Sequence, residues 1–454
     1  MSSSLAGGII ASKSLRVQYK FRKKKEKEMK VNGKYRILQA SYWMMISVCF
    51  GYVTFYLSGF GYSAAEIGAI TASFGIAAAC CQPILGRIAD KSRRFGWKTL
   101  ILLLAAVCTA DLVALTFSRS KLAVGVLFGA MMLLINCMMP LINAACFYYE
   151  KKGLEIDFGI ARGLGSLSYA VLSLVLGGLT VRLGTSAVPL SGIPVILVLI
   201  LTVISMPYGE HTEEGQGRQH KGKDLQNVKK CGKYRKIKGN PEKKNEAERP
   251  EKAIEKEKRS GVSFLKKYPA FSVMIGASVL LLSVHNFTST YLLQMLERVG
   301  GNSGHLGTAL AIAAVTEVPV MFLFSRIVKK VPSSVLLVVS GAAYTVKSLM
   351  LLASGNVGMI YVAQLLQPFS YALYAPAAVY FANECMGEED KVTGQALMSM
   401  TSPAGTVIGN LVGGCLIDVS GVPAMLTVSS LTAVAAAAVA ALAAVLYGKH
   451  RTVR

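Results

Sequence analysis

The chain has 454 residues, of which 53% are hydrophobic and 16% charged, against about 25% charged in soluble domains. Its formal net charge is +24, but the Lys and Arg residues lie between apolar runs instead of forming a patch on a folded domain, which excludes nucleic acid as a partner. Apolar runs of the about 20 residues needed to cross a hydrocarbon core recur along nearly the whole chain, and in lipid each must be a helix, because unpaired backbone groups are too costly there.

Residues 1–36 are polar and basic and lack the apolar core and cleavage site of a signal peptide. They are predicted as a basic cytoplasmic N-terminal tail, with the first apolar run as an uncleaved anchor. Met29-Lys30 offers a second start, so residues 1–28 are expected to be an upstream extension.

Twelve helices follow. Helices 1 to 6 are predicted at 37–58, 64–89, 98–118, 122–148, 160–182 and 186–206, a six-helix bundle over 37–206. Helices 7 to 12 are predicted at 269–295, 306–328, 334–354, 357–384, 392–416 and 422–447, a second bundle over 269–447, before a cytoplasmic tail at 448–454. Residues 207–268 are rich in Lys, Glu, Gly and Asn. Such a stretch cannot bury enough surface to offset chain entropy and reads as a disordered basic cytoplasmic linker. An amphipathic segment on anionic lipid, at about 1 kcal/mol per basic residue, is the other reading.

The short gaps set the orientation. Lys91, Arg93, Arg94, Lys98, Lys151, Lys152, Arg162, Lys329, Lys330 and Lys391 fall on one side, against Arg119, Lys121, Arg182 and Arg298 on the other. The richer side faces the cytoplasm. Both termini and the linker fall there too, as an even helix count requires. The fold class is therefore an all-α polytopic membrane protein. The halves echo one another faintly: GYVTFYL at 51–57 and NFTSTYL at 286–292 end helices 1 and 7, and helices 2 and 8 each carry a proline, Pro83 and Pro319. Transporter halves show this kind of weak symmetry.

Three ionisable groups sit well inside apolar runs: Asp111 in helix 3, Glu317 in helix 8 and Lys347 in helix 9. Each costs about 2.5–3.5 kcal/mol on insertion scales, so each needs a partner or a wet cavity. Glu317 and Lys347 are half-way along consecutive antiparallel helices and can meet. Burial favours the protonated carboxyl and a nearby ammonium opposes it. Breaking or making that contact can therefore switch Glu317 as a proton carrier; a permanent ion pair that orients the helices is the alternative. Asp111 is a weaker proton-coupling candidate, because its partner is not evident.

Polar stripes mark some helices. Gln364, Gln367, Tyr371 and Tyr374 share one face of helix 10, and Asn286, Thr290 and Gln294 share one face of helix 7. Helix 4 has Asn136 and Asn143, and helix 1 has Tyr52 and Tyr56. Interhelical hydrogen bonds, worth about 0.6–2 kcal/mol each, are the bland reading of such groups. His285 could titrate or simply pack. Gly405, Gly409 and Gly413 in helix 11, and Gly159 and Gly163 in helix 5, read as close helix contacts. The nine cysteines form no C-x-x-C and read as small packing residues. No metal site, disulfide framework, cofactor or enzyme is predicted: there is no HExxH and no GxxxxGK[ST].

After helix 2 the sequence reads GRIADKSRRFG, Gly86 to Gly96. This resembles the signature of the major facilitator superfamily, with Arg93 standing where that family usually has Gly. QP at Gln82-Pro83, DFGIARGLGS at 157–166, EVP at Glu317–Pro319, and TGQA at 393–396 followed by GTVIGNLVGG are similar to one branch of it. That branch holds proton-linked sugar, nucleoside and phenylpropionate permeases, lactose permease among them.

The resemblance implies the major facilitator fold, two six-helix bundles acting as a monomer in the cell inner membrane. It implies a conformational latch at Gly86, Asp90, Arg93 and Arg94. It also implies a substrate cavity lined by helices 1, 4, 7 and 10, on which the stripes Tyr52, Tyr56, Asn136, Asn143, Asn286, Thr290, Gln364, Gln367, Tyr371 and Tyr374 fall. The function expected is secondary active transport, proton-coupled symport of a sugar, nucleoside or aromatic acid by alternating access. Drug or metabolite efflux by antiport is the rival, but helix 5 has Gly177-Gly178 without the proline of exporters. A non-transporting membrane sensor is the third.

Overall fold

The computed structural model describes residues 2–91, 96–208, 264, 266–387 and 389–452. Most of the predicted linker 207–268 lies outside them, as do Arg93, Arg94 and the side chain of Asp90 from the predicted latch. Residues Met1–Met206 and Tyr268–Arg454 make one unit. Among the described residues the secondary structure is helical, without strands.

Among the described residues, twelve helical segments run up and down. The first, α1, joins Ser2–Ile46, a π-helical turn Ser47–Gly51 and Val53–Ser58. Then come α2 (Ala64–Lys91), α3 (Trp97–Phe117), α4 (Lys121–Lys151), α5 (Phe158–Leu183) and α6 (Ala187–Ser205). The second half holds α7 (Pro269–Thr290, continued by Leu292–Arg298), α8 (Ser303–Ile327) and α9 (Ser333–Leu352). In α10, Val357–Gln364 and Leu373–Cys385 flank a π-helical turn at Pro368–Ala372. Lys391–Thr452 folds back at Gly421, whose φ of 80° needs a residue without Cβ, and its two limbs are α11 and α12.

Among the described residues, eight helices are long and apolar enough to cross a membrane. Two of them, Phe158–Ser205 and Lys391–Lys449, hold two spans each. In α10 the π-helical turn leaves pieces of 8 and 13 residues, too short to qualify alone; in α1 the 45-residue Ser2–Ile46 is long enough but mostly polar, and its apolar end runs on through the π-helical turn into Val53–Ser58. Ten plus two restores the predicted twelve.

The first helix starts far earlier than predicted, at Ser2 instead of residue 37. No proline interrupts residues 1–46, and ion pairs one turn apart support the exposed part, Lys30–Glu26 at 2.8 Å and Lys24–Glu28 at 3.6 Å. Packing begins inside the predicted tail, where Val31 and Tyr35 are buried. Asn32 bonds the backbone of Glu155 (2.7 Å) and Asp157 (2.9 Å), and Arg36 pairs with Asp157 at 3.2 Å.

Glycine sets how closely the halves approach. A Cβ on Gly307 of α8 would press on the Ser173 carbonyl of α5 and lie 3.0 Å from the Cα of Gly177. Gly307→Val should therefore force the halves apart. We expect it to destabilise the protein by about 1–3 kcal/mol, read as a lower melting temperature in detergent, whereas Gly178→Ala, which meets nothing within 4 Å, should leave it unchanged. The predicted glycine repeat of α11 packs on α7: Gly405 against Leu282, Gly409 against Ser283 and Asn286, Gly413 against Phe287 and Tyr291. Gly163 meets Phe322 of α8, while Gly159 and the latch residue Gly86 meet nothing within 4 Å.

The halves are also tied by hydrogen bonds at the face away from the two termini. The Asp418 carboxylate, at the end of α11, accepts from the backbone N–H of Ala64 (3.0 Å) and Ala65 (2.9 Å) at the start of α2. The Tyr291 hydroxyl of α7 donates to the Ala64 carbonyl at 3.3 Å.

Candidate functional site

Antiparallel α8 and α9 and the broken α10 bring four polar side chains together. Lys347 Nζ donates to Gln364 Oε1 at 3.0 Å and to Gln367 Oε1 at 2.5 Å. Gln367 Nε2 in turn donates to Glu317 Oε1 at 2.9 Å. The predicted direct contact of Glu317 with Lys347 is thus replaced by a relay through one amide. The reason is local: Gln364 and Gln367 sit one turn apart on the face toward α9, just before the π-helical turn at Pro368–Ala372. An ammonium draws carbonyl oxygens, so both amides turn their oxygens to Lys347, and Gln367 is left with its N–H groups for the carboxylate.

Lys347, Gln364 and Gln367 are buried, at 3%, 3% and 6% exposure. Around them stand further helix 7 and 9 side chains. The His285 ring stacks on Tyr371 of α10 with centroids 4.4 Å apart, and lies edge-on to Tyr344 of α9 at 6.2 Å. Three polar atoms here are buried without a hydrogen-bond partner among the described residues: His285 Nδ1, Tyr344 Oη and Gln364 Nε2. Buried polar atoms of this kind normally find a partner, such as an ordered water or a bound solute.

Arg162 was grouped by sequence with the cytoplasmic charges. The structure places it inside α5, its guanidinium 3.5 Å from the Trp43 ring centroid and donating to Ser166 Oγ at 2.9 Å. Arg162 from the first half and Lys347 from the second both act electrostatically on Glu317. The readable signal was that Arg162 lies a turn inside the apolar run that opens at Phe158, with Ser166 four residues on.

The other predicted residues are spread more widely. Tyr52 donates to the Ser173 carbonyl at 2.7 Å, tying α1 to α5. Tyr56 stacks on Phe128 at 5.0 Å and reaches the Leu115 carbonyl at 3.4 Å. Gln39 Nε2 donates to Asn143 Oδ1 at 3.4 Å, and Gln82 Nε2 to the Asn136 carbonyl at 3.0 Å. Asn286 Nδ2 bonds the Leu282 carbonyl of its own helix at 2.7 Å, and Thr290 Oγ1 bonds Asn410 Oδ1 of α11 at 2.9 Å. Tyr374 is buried at 4% exposure. Asp111 is buried in α3, with Oδ2 unpartnered among the described residues, near Cys49, Cys108 and Tyr56. The bonds of Tyr52, Tyr56 and Thr290 are those of helix-to-helix packing, and that of Asn286 stays within its own helix. The polar centre gathers instead on α5, α7, α8, α9 and α10.

Twelve helices in two connected halves, with charged groups held at mid-span between them, define the major facilitator fold. Residues 35–427 match the MFS_1 like family, and the chain belongs to it. Among solved structures, the nucleoside transporter NupG superposes with a TM-score of 0.69 at 14% identity, covering 93% of this chain and 99% of that one. A POT family transporter in complex with a thioalcohol conjugated peptide gives 0.64 at 12% identity, covering 92% and 96%. The lysosomal dipeptide transporter MFSD1 of Danio rerio is 21% identical over 186 residues, 38% of this chain. This chain spans only 40% of that relative's length. The protein is a multi-pass helical membrane protein of the MFS_1 like family, with the major facilitator fold.

Proposed function

We propose that the protein is a proton-coupled symporter of a small organic solute, working by alternating access as a monomer in the plasma membrane with both termini in the cytoplasm. The observation that carries this reading is the relay Lys347–Gln367–Glu317. For a carboxylate buried at mid-span, the charged and neutral forms are held differently by the groups that face it, here an amide and two more distant cations. Protonation removes the charge that Gln367 and Arg162 serve, so it loosens the tie of α8 to both α10 and α5. That is the coupling a symporter needs: a proton changes how the halves hold one another.

The ties from Asp418 and Tyr291 to Ala64 fit a state closed on the outer face, from which solute exchanges with the cytoplasm. The test is uptake into proteoliposomes under an imposed inward pH gradient. Accumulation that collapses with the gradient supports symport. Solute movement indifferent to the gradient rejects it, and gradient-driven extrusion favours the efflux reading.

A further inference from the structure

The charges and the orphaned atoms around Lys347 do not balance, and the imbalance has a chemical sign. Among the described residues, Glu317 is the carboxylate that acts on both Arg162 and Lys347. Two cations therefore share one anion. Uncompensated charge at this depth is costly, and structures carry it where a counter-ion binds.

The free hydrogen-bonding capacity is weighted towards donors. Lys347 has three N–H groups, two of them used on Gln364 and Gln367, which leaves one. Because Gln364 gives its oxygen to Lys347, its Nε2 is turned away and unpartnered among the described residues. The Tyr344 hydroxyl, one helical turn before Lys347, is likewise unpartnered and only 1% exposed. His285 Nδ1, on the ring beside Tyr344, is the fourth, a donor in the tautomer that carries its proton there. These groups converge from α7, α9 and α10 and all can donate. A sugar or a nucleobase presents donors and acceptors alike; a carboxylate only accepts, and it carries the missing charge.

We infer that Lys347, Gln364, Tyr344 and His285 form a subsite for a carboxylate of the transported solute. This rests on the transport reading above and narrows its substrate class to monocarboxylates, zwitterions included. It also gives the coupling a charge balance. Around Glu317 stand Arg162 and Tyr169 of α5, Lys347 and Tyr344 of α9 and Tyr371 of α10, with His285 of α7 beside them. Empty, with Glu317 ionised and His285 neutral, the cluster carries one net positive charge. Loaded with one carboxylate and one proton on Glu317, it carries the same charge, so each ligand favours the other.

The test uses the purified full-length protein and matched probes: 3-phenylpropanoate and its amide, alanyl-alanine and its amide, with uridine and a β-galactoside as solutes lacking a carboxylate. In titration calorimetry, the acid of at least one pair should bind about tenfold or more tighter than its amide, as expected for charge-assisted hydrogen bonds. Lys347→Gln should bring the two within about threefold. Should that variant fold poorly, Tyr344→Phe removes one hydroxyl only and should weaken the acid by about threefold or more while sparing the amide. Acids that bind no better than their amides, or a preference that survives both substitutions, overturn the subsite. Proton-driven uptake of uridine or galactoside in that case would leave the transport reading standing. Tight acid binding without proton-driven uptake would do the opposite.

Discussion

Glu317→Gln is expected to abolish uphill uptake while leaving exchange of solute across the membrane. The substitution keeps an oxygen where Gln367 Nε2 now donates at 2.9 Å, so the relay to Lys347 can persist. What it removes is the group proposed to take and give the proton. For one proton per solute, each unit of pH gradient is worth about 1.4 kcal/mol, a concentration ratio of about ten. The unsubstituted protein should approach that ratio in proteoliposomes, and the variant should stop at about one. Counterflow, in which labelled solute exchanges against unlabelled, should persist because it needs no net proton movement. Full accumulation by the variant would remove Glu317 from the coupling step.

Asp418→Ala should open the face away from the two termini. The first turn of α2 has backbone N–H groups that no helical carbonyl can reach. Ser63 and Glu66 serve two of them in a capping box: Glu66 Oε2 accepts from Ser63 N at 2.8 Å, and Ser63 Oγ from Glu66 N at 3.3 Å. Glu66 is itself held by Lys121 at 2.7 Å. The N–H groups of Ala64 and Ala65 are left for Asp418, which comes from the other half.

A carboxylate on a helix N-terminus combines charged hydrogen bonds with the helix dipole. Since Asp418 is exposed, we take about 1–2 kcal/mol for the pair, near a tenfold shift in a two-state population. Hydrogen exchange of a peptide covering 60–68 should accelerate by about that factor in Asp418→Ala, and uptake should change with it. Unchanged exchange at Ala64 and Ala65 would show that the bond does not hold the face shut. Tyr291, which bonds both the Ala64 carbonyl and the Asn410 carbonyl at 2.5 Å, would then be the next residue to remove.

Much of this protein was legible without coordinates. Span count, the mid-helix position of Glu317 and Lys347, and the glycine repeat of α11 follow from composition and local periodicity, because lipid forces every apolar run into a helix. A sequence also shows Ser63 and Glu66 three apart, and so shows a cap. It cannot show that the cap is incomplete until Asp418 arrives from 353 residues away. The polar stripes were equally visible, but a stripe does not say whether it meets another helix or a solute. Thr290 finds Asn410 and Tyr52 finds the Ser173 carbonyl, while Gln364 and Gln367 find Lys347.

Arg162 shows the limit most plainly. By position it is one more basic residue near the end of a helix; by packing it lies on Trp43 and acts on Glu317. Local interactions decide which residues become helix and which end of a helix is capped. Which charges share a counter-ion, and which are left without one, depends on how helices far apart in the chain are brought side by side, and only the assembled bundle decides that.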